Sequence, residues 1–190
     1  MSDDAVERAQ AGDAQAFREL VERHSRQVFR VAYRILGDEQ AAEDTVQETF
    51  LRAYRTLHRF DGRAQVGTWL YRIAVNLAVD LLRRRRVRGE VGEAGDPQEA
   101  VAQLASSEPG PDRLAQAREI GRATRRAMAA LSPLEKAAFA LRHFEGRTIG
   151  EISLALGTGD SASKQAVFRA VKKLRKALAP FVVNAYETAS

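Results

Sequence analysis

The 190-residue chain has no cysteine, one tryptophan, two methionines and three histidines. Without cysteine it has no disulfide, no thiolate metal site and no cysteine nucleophile. His24, His58 and His143 lie far apart and show no metal-ligand spacing, so neither a metal nor a cofactor is expected. No run approaches the ~18 uncharged apolar residues of a membrane span, and Met1-Ser2-Asp3-Asp4 does not open a signal peptide. A soluble, cytoplasmic protein with no membrane insertion is expected. The phosphate-cradling glycine motifs GxxxxGK[ST] and GxGxxG are missing. Carboxylates scatter along helix faces with no partner histidine, so no catalytic residues and no enzymatic activity are expected. No segment alternates with period two, which argues against strands.

What remains is helical and charged. Hydrophobic residues make up 45% of the chain, enough to bury real cores. The net charge of +5 is unevenly spread, at +3 over residues 1–88, −4 over 89–118 and +6 over 119–190. Two basic blocks around an acidic spacer are the footprint of two nucleic-acid-binding modules on a tether. The spacer, residues 89–112, holds three of the five prolines and reads as a flexible linker. The fold class expected is all-α: two small helical domains, 1–88 and 113–190, joined by that flexible acidic linker.

Helical spacing runs through Phe17, Leu20, Val21, His24, Val28, Val31, Ala32, Ile35 and Leu36 until Gly37, a natural residue just past a helix end. Asp38 is placed to cap the next helix, where Ala42, Val46, Phe50, Ala53 and Leu57 form the apolar stripe. Opposite that stripe lie Asp44, Gln47, Glu48, Leu51 and Arg55. From Asp38 to Phe50 there are five acids and no Lys or Arg. Phosphate repels such a face. It suits either solvent or a basic protein partner, with Leu51 as an apolar anchor.

After a loop at 60–67, Thr68 is expected to cap a helix with two stripes. Leu70, Ile73, Ala74, Leu77 and Leu81 face a core. Trp69, Arg72, Asn76, Asp80 and Arg83 line an adjacent face that runs into five arginines within residues 83–88. Two readings fit this helix. One is a solvated face whose basic end suits the helix dipole. The other is a nucleic-acid groove in which a ring stacks, an amide reads a base edge and cations hold phosphate.

The second block expects a helix over 114–131, a capping box at Ser132–Glu135 with Pro133 at the first helical position, and a second capping box at Thr148–Glu151. A short helix, a turn at 157–160 and a basic helix from Ser161 then give helix-turn-helix form, against an ordinary helical hairpin as the alternative.

At this point the chain resembles a family. AEDTVQETFLRAYRTL at 42–57 is similar to region 2.2 of bacterial RNA polymerase sigma factors of the extracytoplasmic function (ECF) group. FDGRAQVGTWLYRIAVNLAVDLLRRRRVR at 60–88 resembles regions 2.3 and 2.4, and LSPLEKAAFALRHFEGRTIGEISLALG at 131–157 with the basic helix after it resembles region 4. The resemblance implies a sigma factor that binds core RNA polymerase and directs promoter-specific initiation. Asp44, Gln47, Glu48, Leu51 and Arg55 would dock on the β′ clamp helices. Arg63, Trp69, Arg72, Asn76, Asp80, Arg83, Arg84 and Arg86 would bind and help melt the minus-ten element. Ser161, Ser163, Lys164, Gln165, Arg169 and Lys172 would meet the minus-35 element. The β flap and an anti-sigma factor are further implied partners.

Two departures stand out. Primary sigma factors carry adjacent tryptophans where this chain has Trp69-Leu70. Where members often show Gly-Thr-Val-Lys-Ser-Arg, this chain runs Ser161 to Ala166 as SASKQA, which leaves Gln165 as a candidate adenine reader. The alternatives are a helix-turn-helix repressor or activator acting without polymerase, and an adaptor that binds an anti-sigma factor but never DNA.

Overall fold

The structure, a computed structural model, describes residues 3–62, 64–89 and 111–187. Among these, every regular element is helical: α1 (Asp3–Gln10), α2 (Ala14–Leu36), α3 (Glu39–Thr56), α4 (Val66–Val87), α5 (Pro111–Ala129), α6 (Pro133–His143), α7 (Ile149–Leu156) and α8 (Asp160–Glu187). A single 3-10 turn covers Leu57–Arg59. The expected linker falls almost wholly at 90–110, outside the described residues.

Local chemistry sets most boundaries. The Asp13 carboxylate caps α2 by accepting from the Gln15 and Ala16 N–H groups at 2.8 and 3.1 Å. Gly37, at φ 70°, ends that helix and donates its N–H to the Tyr33 carbonyl. Asp38 then caps α3 by accepting from the Ala41 N–H at 2.8 Å. Thr68 does not cap α4. The helix starts at Val66, with Gln65 in the cap position and no side-chain cap bond. Val66 is buried, and the Thr68 and Trp69 N–H groups already bond to the Gln65 carbonyl, so apolar burial pulls the start two residues back. α1 is an addition to the sequence reading; Ala5, Val6 and Ala9 pack it onto the core.

α2, α3 and α4 share one core of Leu20, Val28, Val31, Ile35, Ala42, Ala53, Leu70, Ala74, Val75 and Ala78. α3 also buries Thr45 and Thr49, whose hydroxyls donate to the carbonyls one turn back, Ala41 and Thr45, at 2.7 and 2.6 Å. With its oxygen satisfied locally, each threonine behaves as a small hydrophobe.

Both capping boxes form as expected, Ser132 with Glu135 and Thr148 with Glu151. α7, the left-handed Gly157 (φ 63°) and α8 make the helix-turn-helix. A hydroxyl cluster pins its turn: Ser163 Oγ lies 3.0 Å from Ser153 Oγ and 2.7 Å from Thr158 Oγ1. A small apolar cluster of Ala127, Leu131, Ala170 and Leu174 joins α5 to α8.

The two halves are packed together. Ala137, Ala138, Ala140, Leu141, Ile152 and Ala155 belong to the same apolar cluster as the α2–α4 core. Lys136 Nζ donates to the Leu36 carbonyl at the end of α2, at 3.1 Å. Glu145, in the turn after α6, pairs with Arg34 at 2.6 Å and Arg30 at 3.4 Å.

Two outcomes follow from this packing. Burial, and secondly the charge of Arg85, pushes the Lys136 ammonium down from 10.5 to about 8. Between those values the unfolded chain holds more protons than the folded one, so the stability that Lys136 contributes rises with pH across that window and is lowest below it. The unfolding free energy of wild type relative to Lys136→Met, from urea denaturation, is expected to climb between about pH 7.5 and about pH 10. A flat difference would mean that the ammonium is hydrated. Ser163→Ala, which removes the partner of the Thr158 hydroxyl while Ser153 keeps its bond to the Ile149 carbonyl, is expected to lower stability by about 1 kcal/mol in the same assay.

Candidate nucleic-acid interface

α4 carries its polar stripe as the spacing predicts. Leu70, Ala74, Leu77 and Ala78 face the core, while Arg72, Asn76, Asp80 and Arg83 are exposed. The buried side is wider than the expected stripe, because Tyr71, Val75 and Val79 are also enclosed. Ile73 and Leu81 are half-buried at its margin. Trp69 is half-buried, its ring 5.2 Å from Phe60 and tilted 45° to it, so the loop that precedes α4 anchors the indole.

The arginine run divides by partner. Arg83 pairs with Asp80 one turn back, at 3.1 Å. Arg85 is half-buried and reaches Asp38, the cap of α3, at 3.3 Å. It ties the end of α4 to the start of α3. Arg84 and Arg86 are exposed. Arg63 lies outside the described residues.

On α8, Ser161, Lys164, Gln165, Arg169 and Lys172 are exposed, and Arg169 donates to Gln165 Oε1 at 2.7 Å. Ser163 is fully buried in the hydroxyl cluster, at 0% exposure, and cannot reach a groove. It holds the turn instead. The family's frequent valine at this place is the sequence signal that it faces inward. Lys173 also turns inward, donating to Glu135 Oε2 at 2.7 Å. Although burial opposes it, that ammonium and the Ser132 cap hold the Glu135 carboxyl below its usual range. Phe168 stands 66% exposed beside the basic residues of α8.

The α3 face is assembled as read. Asp44, Gln47, Leu51 and Arg55 are exposed, and Glu48 is half-buried and paired with Arg52 at 2.7 Å. Tyr54, 60% exposed, joins Leu51 in an apolar patch that the sequence reading missed. The available signal was an aromatic off the buried stripe. Phe17 packs edge-on against its ring at 5.1 Å. Among the described residues no group of His, Asp and Glu could hold a metal ion, and no helix is long and apolar enough to cross a membrane.

The chain therefore presents two separate basic helix faces and one acidic-apolar face. Comparison with known proteins agrees in order and extent. The model of Sigma-70 region 2 matches residues 20–88, and that of Sigma-70, region 4 matches residues 121–174. The RNA polymerase sigma-H factor of Pseudomonas aeruginosa is 33% identical over 187 residues, 95% of each chain. The ECF RNA polymerase sigma factor SigE of Mycolicibacterium smegmatis is 33% identical over 85% of this chain, which spans 61% of that relative. BldN of Streptomyces coelicolor is 34% identical over 91% of this chain and 64% of its own. Among solved structures, CnrH in complex with the cytosolic domain of CnrY is similar with a TM-score of 0.62 and 25% identity, covering 94% of this chain and 97% of that one. RpoE of Bartonella quintana, solved with the anti-sigma factor NepR, shares the fold at a TM-score of 0.56 and 21% identity, over 87% and 98% of the two chains. With both regions matched in order, and a relative alike along nearly its whole length, the chain belongs to the sigma-70 family as an ECF sigma factor, an initiation factor rather than an enzyme.

Proposed function

We propose that this protein binds core RNA polymerase and directs it to promoters through two elements. Residues 1–88 hold and help melt the minus-ten element, residues 113–190 contact the minus-35 element, and residues 89–112 tether them. The observation that carries this reading is the exposed stripe on α4, from Arg72 through Asn76 and Asp80 to Arg83, continuing into exposed Arg84 and Arg86 beside a half-buried indole. A single-stranded base needs a ring to stack on and its backbone needs cations, and this face offers both. Arg63 belongs to the same assignment by its place in the loop before α4. Capturing unstacked bases offsets the few kcal/mol of unpairing. On α8, Ser161, Lys164, Gln165, Arg169 and Lys172 form the major-groove face, and tethering lets two weak contacts act as one.

The face of Asp44, Gln47, Glu48, Leu51 and Arg55 is the polymerase-docking surface, with the β′ clamp helices as its partner. The second domain meets the β flap. CnrH, similar over 94% of this chain, was solved with a domain of another protein, CnrY. That supports a protein regulator as a further partner here, for which an anti-sigma factor is the candidate.

Run-off transcription with purified core polymerase tests the whole reading. Wild type is expected to yield a promoter-dependent transcript. Asp44→Arg combined with Leu51→Ala is expected to lose core binding while the helix content by circular dichroism stays as in wild type. Unchanged core affinity in that variant would remove α3 as the docking surface. Trp69→Ala is expected to reduce open-complex formation by roughly 5- to 150-fold, the equivalent of about 1–3 kcal/mol of base stacking. Permanganate footprinting would show it, and full melting by the variant would take the indole out of the mechanism.

A further inference from the structure

The seam between the two halves holds a cavity of ≈ 340 Å³ that is partly open to solvent. Its walls come from α2, from the first turns of α4, and from the turn and helix around Arg147 and Glu151. Among the described residues, three buried side-chain atoms lack a hydrogen bond of good geometry, His24 Nε2, the Tyr71 hydroxyl and Arg147 Nε, although the Tyr71 and Arg147 side chains interact with each other. All three belong to residues that line this one cavity. A buried polar group left unpaired costs about 1–3 kcal/mol, and such groups are few in native proteins. Their convergence on one space marks a site built for something polar.

The lining favours an anion. Tyr71 is 5% exposed. Burial pushes its hydroxyl up to about 12, so at neutral pH it keeps its proton and can donate. The Arg147 guanidinium lies over the Tyr71 ring, 4.8 Å from its centre. One of its terminal nitrogens donates to Glu151 Oε1 at 3.0 Å, and the guanidinium also interacts with the Tyr71 hydroxyl. Glu151 is the one carboxylate in the lining, and its second oxygen accepts from the Thr148 N–H and hydroxyl, both at 2.8 Å. Burial, and then the charge of Arg23, lowers the pKa of His24, whose ring is thus neutral at pH 7 and can donate from Nε2. The start of α4 lines the same space through Val66, Gly67 and Thr68, with no side-chain cap. The Thr68 and Trp69 N–H groups are taken by the Gln65 carbonyl, so negative charge is drawn by the helix dipole and by the Val66 and Gly67 end of the turn. Gly67 is what lets the His24 ring close on that helix start, because a Cβ there would sit 2.9 Å from His24 Cε1.

We propose that this cavity binds a phosphate group, free or carried on a small organic molecule, between the start of α4, the Tyr71 hydroxyl and Arg147. Because its donors come from both halves of the chain, the bound anion would hold the halves together. The inference rests on the seam and not on the transcription reading, so either can fail without the other.

Isothermal titration calorimetry of the full chain tests it, with inorganic phosphate and glycerol phosphate as ligands against chloride at matched ionic strength. Saturable one-to-one binding that chloride does not reproduce is expected. Tyr71→Phe, which removes only the hydroxyl and keeps the ring under Arg147, is expected to weaken it about tenfold. Gly67→Ala, whose methyl cannot coexist with the present position of the His24 ring, is expected to weaken it as well. Tighter binding of glycerol phosphate than of phosphate would identify a phosphate ester as the ligand, and the reverse order would identify the free anion. Heat no greater than with chloride, or an unchanged affinity in Tyr71→Phe, would overturn the proposal and leave the three polar atoms served by water.

Discussion

The arrangement of the two halves depends on one buried carboxylate. The Glu145 side chain is 3% exposed and sits between Arg34 and Arg30 of α2. A carboxylate so enclosed is tolerable only when paired, and removing one partner from such a group is far more costly than the pair is stabilising. Arg34 also donates to the Phe144 carbonyl and lies against the Phe144 ring, so its guanidinium grips the turn as well as the charge. That turn is rigid in its own right: the Glu145 N–H bonds to the Ala140 carbonyl, the Arg147 N–H to the Leu141 carbonyl, and Arg142 reaches the Arg147 carbonyl. Fixing Glu145 on α2 therefore fixes Arg147 two residues on, over Tyr71 of α4. It also brings Lys136, on the preceding helix, to the last carbonyl of α2. The cavity, the helix-turn-helix and the start of α4 take their relative positions from that turn.

How much of this was legible in the sequence follows the range of each interaction. The capping boxes at Ser132 and Thr148, the stop at Gly37 and the cap at Asp38 are closed within four residues, and the residue types alone specify them. The two faces of α3 and α4 come from periodicity, which a core imposes from any direction. What could not be read depends on distant partners. Nothing local distinguishes Arg85, bound to Asp38, from the exposed Arg84 and Arg86. Ser163 looks like a groove contact because serine is polar, and only the hydroxyls of Ser153 and Thr158 make it a core residue. Thr45 and Thr49 were hidden for the same reason, their polarity cancelled by the helix's own carbonyls. Net charge suggested two modules on a tether, and nothing in it reveals that Leu141, Ile152 and the alanines of the second half share a core with the first.

The seam and the proposed function make opposing demands. The proposed function sets the two halves on two promoter elements at separate places along one duplex. A tether of residues 89–112 reaches at most ~80 Å when fully extended. The ion pairs of Glu145 instead hold the halves side by side, within 4 Å. Under the proposed function, then, the seam parts before or during assembly with polymerase, and only the open fraction of the chain is competent. Every 1.4 kcal/mol of closure lowers that fraction about tenfold.

The composition of the seam suits an equilibrium of this kind. On the second half its apolar cluster sets the small Ala137, Ala138, Ala140 and Ala155 beside the fully buried Leu141 and Ile152, and these two carry most of its buried apolar area. Its ion pairs leave Arg30 and Arg34 partly exposed, at 52% and 34%, where solvent weakens them. Lys136 enters it at a cost in desolvation. Partly exposed arginines and one disfavoured ammonium offset part of what that apolar burial contributes. The specificity comes from Glu145, which finds two arginines only in this one arrangement. Arg72 links the two demands, because it lines the seam cavity and also belongs to the α4 stripe assigned to promoter DNA. Opening the seam would thus widen access to the same face that opening allows the chain to use.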